Sequence, residues 1–320
     1  MKVIVTGGAG FIGSNTVIKL VEKGYTVFVV DNLHTGSRHN LREVSDQIFF
    51  YTAEAGDVLT LFSSPDLPKI DAIIHLGIPS SSPMYKDHPF LVAKAIKDAI
   101  SILEFAKRHK IKVVVASTSS IYNYLPLPWR EDMQPIPFDF YTEARIAIER
   151  IAKVYSLLHN IPVVILRYFS VYGPREEFKG RYANVVTQMI WSALKGETFT
   201  IFGDGSQTRD FIYIDDVVEA NLKALEFDES RYEVFNIGFG KNYSFNQVAK
   251  MVNDVASKHG KQLKIRYMEN PIKNYVHDTL ADITKAQKVL KWKPKTPLKE
   301  GIEKTWKYYM LHMPQSGSSI

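Results

Sequence analysis

The chain has 320 residues, of which 45% are hydrophobic and 23% are charged, a balance typical of globular proteins rather than disordered or fibrous ones. It contains no cysteine, which excludes disulfide bonds and cysteine-ligated metals and fits a cytoplasmic protein. The net charge of +6 is spread without a basic block, and no apolar run approaches the roughly 20 residues that cross a bilayer, so we expect neither a nucleic-acid nor a membrane partner.

Short runs rich in β-branched residues alternate with longer amphipathic stretches in the first half of the chain. We predict strands at residues 2–6, 26–31, 72–76, 112–117 and 162–168. The amphipathic stretches predict helices at residues 15–22, 90–108 and 141–159, and later at 183–195 and 244–260. Such alternation predicts βαβ units, and therefore an α/β fold with a doubly wound parallel sheet covered on both faces.

The regular alternation loosens after about Tyr172. We predict a main domain of residues 1–170, to which residues 205–240 return. Residues 171–204 and 241–310 are predicted to form a smaller C-terminal α/β cap that binds the substrate. The polar C-terminus, residues 311–320, is predicted to be a flexible tail.

A glycine-rich turn, TGGAGFIG, places Gly7, Gly10 and Gly13 between the first predicted strand and a helix. Glycines at this spacing permit a tight turn and let a diphosphate approach the N-terminus of the helix. Asp31 ends the second strand, where a carboxylate accepts hydrogen bonds from the adenine-ribose hydroxyls and repels a 2′-phosphate. The sequence therefore predicts a Rossmann-type domain that binds NAD rather than NADP.

Three side chains are candidates for the chemistry. Thr118 follows the fourth predicted strand, and Tyr141 and Arg145 lie four residues apart on one face of a predicted helix. A tyrosine is protonated at neutral pH because its unperturbed pKa is about 10, and a nearby cation favours the phenolate that can act as a base. An isolated Tyr–Arg pair is more often an exposed helix surface, so the surrounding motifs decide. The nine histidines form no metal-binding motif, and we expect no metal.

The glycine turn is followed by ASTSSIY, LRYFSVYGPR, GDGSQTRDFIYIDDVV and ADITKAQKVLKWKP. This series resembles the motifs of extended short-chain dehydrogenases, and among them those of nucleotide-sugar epimerases such as UDP-glucose 4-epimerase. The resemblance runs from residue 3 to about residue 300. It implies an NAD-dependent enzyme that oxidises a UDP-sugar to a 4-keto sugar and returns the hydride to the other face.

The resemblance also implies roles for individual residues. Those expected to bind the cofactor are Gly7, Gly10, Phe11, Ile12, Gly13, Asp31, Asn32, Thr35, Gly36, Asp57, Val58, Leu76, Gly77, Ile78, Pro79, Tyr141, Arg145 and Tyr168. Those expected to bind the substrate are Thr118, Ser119, Ser170, Asn184, Phe202, Arg209, Lys273 and Thr279. Arg209 matches a phosphate-binding arginine. Thr279 stands where a large aromatic residue excludes N-acetylated sugars, so we expect such sugars to be tolerated.

The resemblance further implies a homodimer, formed by the helices predicted at 90–108 and 141–159. Apolar side chains on these helices offer surface for the contact, although some of them must face the sheet. The candidates are Leu91, Ile102, Leu103, Ile148 and Ile151.

Two alternatives remain open. A dehydratase or decarboxylase could use the same scaffold, but dehydratases of this type carry Asp-Glu after the threonine, where this chain has Ser119 and Ser120. A binding protein that has lost catalysis is the second alternative. It is supported by Arg145 in place of the usual lysine and by Ala95 in place of an asparagine. Retention of Tyr141, Thr118 and Arg209 opposes it, because a protein that only senses NAD needs no clamp for a sugar diphosphate.

Overall fold

The structure is a computed structural model that describes residues 1–64, 68–229, 231–271 and 275–313. The strands in this part of the chain are β1 (Lys2–Thr6), β2 (Thr26–Asp31), β3 (Ile48–Thr52), β4 (Ala72–His75), β5 (Lys112–Thr118), β6 (Val163–Tyr168), β7 (Ser170–Tyr172), β8 (Thr198–Phe202), β9 (Thr208–Tyr213), β10 (Tyr232–Ile237), β11 (Asn242–Ser244) and β12 (Lys264–Met268).

The α-helices of the same residues cover the sheet and build most of the C-terminal part. They are α1 (Phe11–Glu22), α2 (Val58–Leu61), α3 (Ser82–Asp87), α4 (Leu91–His109), α5 (Phe140–His159), α6 (Val185–Lys195), α7 (Ile214–Glu226), α8 (Phe245–Lys258), α9 (Thr284–Lys288) and α10 (Leu298–His312). None of these helices has the length and apolar character needed to span a membrane.

The central sheet has seven strands in the order β10-β6-β5-β4-β1-β2-β3, and every pairing in it is parallel. In β1, Val3 and Val5 belong to one apolar cluster and Ile4 to the other, because successive side chains of a strand point to opposite faces. α1 and α7 cover the first face, and α4 and α5 cover the second. The predicted doubly wound parallel sheet is confirmed.

The edge strand β3 is absent from the sequence-based prediction. Its segment IFFYT lacks the continuous burial of the inner strands, and Phe49 in it is 53% exposed. The other edge strand, β10, comes from the second half of the chain and pairs in parallel with β6. Both edge strands are less continuously buried than the five strands between them.

A smaller C-terminal part packs beside the carboxyl ends of the central strands. It contains a three-stranded sheet, β11-β9-β7, a two-stranded sheet, β12-β8, and the helices α6, α8 and α10. The segment 205–240 contributes to both parts, since β9 lies in the small sheet and β10 in the central one. α10 continues to His312, so residues 311 and 312, predicted to be in the tail, are helical.

Parallel strands of an open α/β sheet bind ligands where the strand order reverses direction. In this sheet, β1 is followed by β2 and β3 on one side, and β4 is followed by β5 and β6 on the other side. The strand order therefore reverses between β1 and β4. The glycine turn follows β1, and Thr118 ends β5, so both lie at the carboxyl ends of the parallel strands.

Candidate active site

The turn between β1 and α1 requires glycine for steric reasons. Gly7 has a φ of +68°, and a β-carbon there would lie 2.7 Å from the backbone nitrogen of Gly77. A β-carbon on Gly13 would lie 1.9 Å from the carbonyl oxygen of Gly7. The turn therefore leaves the first backbone amides of α1 open to a ligand, and amides at a helix N-terminus bind phosphate.

Asp31 lies beside this turn at the end of β2. Its carboxylate accepts hydrogen bonds from the backbone nitrogens of Ala9, at 2.9 Å, and Leu33, at 2.7 Å. Burial raises the pKa of Asp31, and the backbone donors oppose that shift. The glycine cradle and the carboxylate fit the diphosphate and adenine ribose of NAD, because a 2′-phosphate would meet this acidic side chain.

One cavity of about 640 Å³ joins the cofactor turn to the predicted chemical residues. The residues predicted from sequence that line it are Gly7, Gly10, Phe11, Ile12, Gly13, Asp31, Asn32, Thr35, Gly36, Leu76, Gly77, Ile78, Pro79, Thr118, Tyr141, Arg145, Tyr168, Ser170 and Asn184. Residues from the glycine turn, from the carboxyl ends of β2, β4, β5 and β6, and from α5 therefore meet in one space.

The N-terminal cap of α5 determines where Tyr141 lies. The carboxylate of Asp139 accepts a hydrogen bond from the backbone nitrogen of Thr142 at 2.7 Å, and the Thr142 hydroxyl accepts one from the backbone of Asp139. This capping box starts the helix at Phe140. Tyr141 is thus fixed in the first turn, where its ring packs edge-on against Tyr85 with centroids 5.6 Å apart.

Arg145 lies one turn further along α5 and is 4% exposed. Its two terminal amino groups donate to the carbonyl oxygens of Ala116 and Pro79, each at 3.0 Å. The guanidinium carbon lies 5.2 Å from the centre of the Tyr141 ring. The arginine therefore ties α5 to the ends of two strand segments and places a positive charge beside the phenol.

Thr118 lies at the carboxyl end of β5, where the chain turns into a short 3-10 helix. Its hydroxyl accepts a hydrogen bond from the backbone nitrogen of Ser120 at 3.2 Å. Behind it, the Ser117 hydroxyl donates to Glu149 at 2.5 Å, and Glu149 forms a buried ion pair with Arg167 at 2.6 Å. This buried network anchors the strand end that carries Thr118 to α5 and β6.

His75 ends β4 beneath the cavity and is 1% exposed. Its Nδ1 atom lies 2.8 Å from the Thr6 hydroxyl. Burial, and then the charge of Arg145, lower the pKa of His75 to about 3. The ring is therefore neutral at physiological pH and serves as a packed link between β1 and β4.

We expect the His75→Asn variant to lose less stability on acidification than the wild type. The unfolded chain protonates this histidine below its ordinary pKa of about 6.5, whereas the folded protein does so only near pH 3. Stability from the neutral ring is thus fully present above pH 6.5 and falls as the pH drops through this window. Urea unfolding should show that the wild type loses about 2 kcal/mol more than the variant between pH 7 and pH 5. Equal losses of stability in the two proteins would contradict the lowered pKa of His75.

Two predicted cofactor residues, Asp57 and Val58, do not line the cavity. The Asp57 carboxylate accepts a hydrogen bond from the backbone nitrogen of Glu54 at 3.0 Å, and Val58 is wholly buried in the apolar cluster below the sheet. Glu54 and Ala55, which precede them, line the cavity instead. The roles of Asp57 and Val58 at the adenine therefore stay predictions, and Glu54 and Ala55 are additional residues at this end of the cavity.

Four predicted substrate residues also lie outside the cavity lining. Ser119 begins the 3-10 helix after Thr118, and Phe202 is 38% exposed at the end of β8. The Thr279 hydroxyl accepts a hydrogen bond from the backbone nitrogen of Asp210 at 3.0 Å, in a site 7% exposed. The fourth is Arg209. Another predicted contact, Lys273, lies outside the described residues.

The Arg209 guanidinium is held by the backbone. It donates to the carbonyl oxygens of Thr208 and Val276, each at 2.7 Å, and of His277 at 2.9 Å. The aromatic rings of Phe245 and Tyr275 pack near it. Burial lowers the pKa of Arg209. In this arrangement the arginine links β9 to the segment before Thr279 and offers fewer donors to a phosphate.

Several charged side chains that sequence reasoning missed also line the cavity, namely Glu54, Lys94 and Lys179. The Lys94 ammonium lies 2.7 Å from both Glu54 and Asp98. Lys94 lies on the face of α4 that contacts Glu54, just after β3. A helical pattern alone does not reveal this contact, because β3 itself was not predicted. Lys179 lies in an irregular segment between β7 and α6, where no periodicity marks it.

Comparison with known proteins places the chain in a family. The profile of the NAD dependent epimerase/dehydratase family matches residues 3–238. A putative UDP-glucose 4-epimerase from Methanocaldococcus jannaschii is 35% identical, covering 94% of this chain and 96% of that protein. UDP-glucuronate 4-epimerase from Thermodesulfobacterium geofontis is 32% identical over 94% of each chain. UDP-glucuronic acid decarboxylase 4 from Arabidopsis thaliana is 32% identical, covering 94% of this chain and 67% of that protein.

Solved structures agree with these relatives. UDP-glucose 4-epimerase from Thermotoga maritima, with UDP-glucose, has a TM-score of 0.89 and 34% identity over 98% of this chain and 100% of that chain. UDP-glucose 4-epimerase from Thermus thermophilus, in complex with NAD, has a TM-score of 0.86 and 30% identity over 98% and 100%. The chain therefore belongs to the NAD-dependent epimerase/dehydratase family. The cofactor of this family is NAD, as the glycine turn and Asp31 of this chain predict.

Proposed function

We propose that the protein is a UDP-hexose 4-epimerase that interconverts UDP-glucose and UDP-galactose. One observation carries the proposal: Thr118 and Tyr141, which both carry a hydroxyl group, line the same cavity as the glycine turn that fits the cofactor. An alcohol of the substrate lying between these hydroxyls can lose its proton there while the adjacent carbon faces the nicotinamide. The 35% identical relative and the Thermotoga structure support this choice of sugar.

In the proposed mechanism, the Tyr141 oxygen removes the proton from the 4-hydroxyl of the sugar. The Thr118 hydroxyl donates to the same sugar oxygen and stabilises the charge that develops on it. The guanidinium carbon of Arg145 lies 5.2 Å from the centre of the Tyr141 ring, where we propose that its charge assists the proton transfer. NAD held at the glycine turn and Asp31 would supply the acceptor for the hydride of carbon 4 and the donor that returns it. Rotation of the 4-keto sugar in the cavity then exposes its other face, so the stereochemistry is inverted without a second substrate.

The positions of the acidic side chains oppose a dehydratase. Within the described residues, the carboxylates that line the cavity are Asp31, after β2, and Glu54, after β3. Thr118 ends β5, which β4 and β1 separate from β2. At about 4.8 Å per strand spacing, Asp31 lies roughly 14 Å from Thr118 across the sheet. Elimination of water needs an acid beside the reacting sugar, and Ser119 and Ser120 occupy the positions after the threonine.

The cations around the cavity also oppose a glucuronate substrate, whose carboxylate needs a positively charged partner. The described cations that line the cavity are Lys94, Arg145 and Lys179. Lys94 is paired with Glu54 and Asp98, and the terminal groups of Arg145 are bound to two carbonyl oxygens. The Lys179 ammonium lies near the Phe11 ring, at the first residue of α1, where the glycine turn fits the cofactor. A neutral hexose suits this distribution of charge better.

Product analysis tests the proposal. The purified protein is incubated without added cofactor with UDP-galactose, UDP-glucose, UDP-glucuronate and UDP-N-acetylglucosamine in separate reactions, and the products are resolved. We expect UDP-galactose and UDP-glucose to reach the same mixture from either side. Conversion of UDP-glucuronate alone, release of carbon dioxide from it, or binding without conversion would each contradict the proposal. The UDP-N-acetylglucosamine reaction tests the expected tolerance of the N-acetyl group.

We further propose that the protein forms a homodimer through α4 and α5, but not through all of the side chains expected from sequence. Ile102, Leu103 and Ile148 are at most 2% exposed, because they face the sheet. Large apolar side chains are instead exposed on α5, where Val154 is 51% exposed and Leu157 and Leu158 are each 72% exposed. Spaced three and four residues apart, they form one apolar face, and such faces mark protein contacts.

Replacing both Leu157 and Leu158 with glutamate should convert the dimer to monomers, because charges on this face would have to be buried. Light scattering at micromolar concentration measures the mass directly. Leu311→Glu is the matched control, since Leu311 is 77% exposed on α10, away from α5, and that variant should remain dimeric. A monomeric wild type, or a double variant that stays dimeric, would contradict this interface.

A further inference from the structure

An irregular segment between β7 and α6, residues 173–184, lies against the start of α1. The carbonyl oxygen of Pro174 accepts a hydrogen bond from the side chain of Asn15 at 3.1 Å, and Arg175 donates to the same side chain at 3.2 Å. Lys179, Tyr182 and Asn184 of this segment line the cavity. The segment is therefore fixed to the helix whose N-terminus forms the cofactor turn.

Lys179 is held in a defined place by a buried carboxylate. Its ammonium lies 3.0 Å from Glu176, a side chain with 0% exposure. Glu176 also accepts hydrogen bonds from the backbone nitrogen of Asn184, at 2.8 Å, and from the Thr187 hydroxyl, at 2.6 Å. Because Glu176 is fixed by three partners, the Lys179 ammonium has a fixed position rather than the wide range of an exposed lysine.

The ammonium of Lys179 lies near the first residue of α1. It is 5.4 Å from the centre of the Phe11 ring, and Phe11 is the first residue of α1. A lysine has three N–H donors, and the hydrogen bond with Glu176 uses one of them. The others are available to a ligand at the N-terminus of α1.

A diphosphate at this position needs more positive charge than the helix provides. The N-terminus of a helix acts as roughly half a positive charge, whereas a dinucleotide diphosphate carries about two negative charges. Of the other described cations that line the cavity, Lys94 lies on α4 and Arg145 on α5, and both have their own partners. Lys179 is the cation beside Phe11.

We propose that Lys179 binds a diphosphate group at the N-terminus of α1 and that Glu176 is its positioning residue. Contact with Phe11 favours the diphosphate of the cofactor. The diphosphate of a nucleotide sugar has the same chemistry and could enter the same cavity, so the two sources are distinguished by measurement. The inference concerns binding and holds whether or not the proposed epimerase reaction is correct.

The test measures ligand binding by calorimetry for the wild type, Lys179→Met and Lys179→Arg, with NAD, UDP and adenosine as separate probes. Bound NAD is first quantified in each protein as purified. Lys195→Met is the matched control, because Lys195 is exposed at the end of α6. We expect Lys179→Met to weaken NAD binding about tenfold to a hundredfold, with adenosine binding unchanged and Lys179→Arg close to the wild type.

Weakened UDP binding with unchanged NAD binding would assign Lys179 to the substrate diphosphate. Unchanged binding of both NAD and UDP would overturn the proposal. Equal weakening for adenosine, which has no phosphate, would overturn it as well, because Lys179 would then act through the fold. Glu176→Gln adds a second comparison: it should weaken the same diphosphate ligand less than Lys179→Met does, because the ammonium is retained but less firmly placed.

Discussion

Replacing Tyr141 with phenylalanine should lower the turnover of UDP-galactose by about a thousandfold or more, while the protein remains folded and retains NAD. The change removes one oxygen atom, and with it the group that we propose to accept the proton of the sugar hydroxyl; general acid–base groups contribute about 10²- to 10⁴-fold. The edge-on packing against Tyr85 does not need that oxygen, so the position of α5 should persist. Turnover is measured from the product ratio, and NAD from the nucleotide released on denaturation.

Tyr182→Phe is the matched control for this experiment. Tyr182 also lines the cavity, but its hydroxyl accepts a hydrogen bond from Arg181 at 2.7 Å and lies in the segment between β7 and α6 rather than beside Arg145. This variant should keep most of its activity. A Tyr141→Phe protein with near wild-type turnover would rule out Tyr141 as the base.

Replacing Arg145 with methionine should lower the rate and shift the pH optimum upward. Methionine removes the positive charge 5.2 Å from the Tyr141 ring, and a neutral neighbour favours the phenolate less than a cation does. Arg145→Lys keeps the charge and should preserve the activity or raise it. Profiles of kcat against pH for the three proteins test this directly.

The same substitution should also destabilise the protein, because the carbonyl oxygens of Ala116 and Pro79 lose their donors. Thermal unfolding separates that effect from the catalytic one: a structural role alone lowers the melting temperature without moving the pH optimum. A methionine variant with an unchanged rate and pH profile would show that Arg145 does not act on Tyr141.

The features that follow from local sequence were predictable. The glycines between β1 and α1 are required by contacts within one turn, such as that between Gly13 and Gly7, and the motif shows this directly. The central strands consist of continuous apolar β-branched residues, and the chemical pair on α5 follows from the four-residue spacing of a helix. These features bring the glycine turn, Tyr141 and Arg145 to one cavity.

The features that depend on distant parts of the chain were not predictable. The carbonyl groups that bind Arg145 lie 29 and 66 residues away in the sequence. Apart from the adjacent Thr208, the carbonyl groups that bind Arg209 lie 67 and 68 residues away. A motif identifies such an arginine but does not show which groups occupy its donors. Lys179 lies in an irregular segment, and its place beside Phe11 results from the packing of residues 173–184 on α1.

The proposed reaction proceeds by transient oxidation at carbon 4 with return of the same hydrogen. An isotope measurement tests this most directly. UDP-galactose with deuterium at carbon 4 is incubated with the protein in ordinary water, and the UDP-glucose formed is analysed by mass spectrometry and NMR. Since the hydride passes to the bound cofactor and back, the product should keep its deuterium at carbon 4. Loss of the deuterium to water, or the absence of UDP-glucose, would contradict the account.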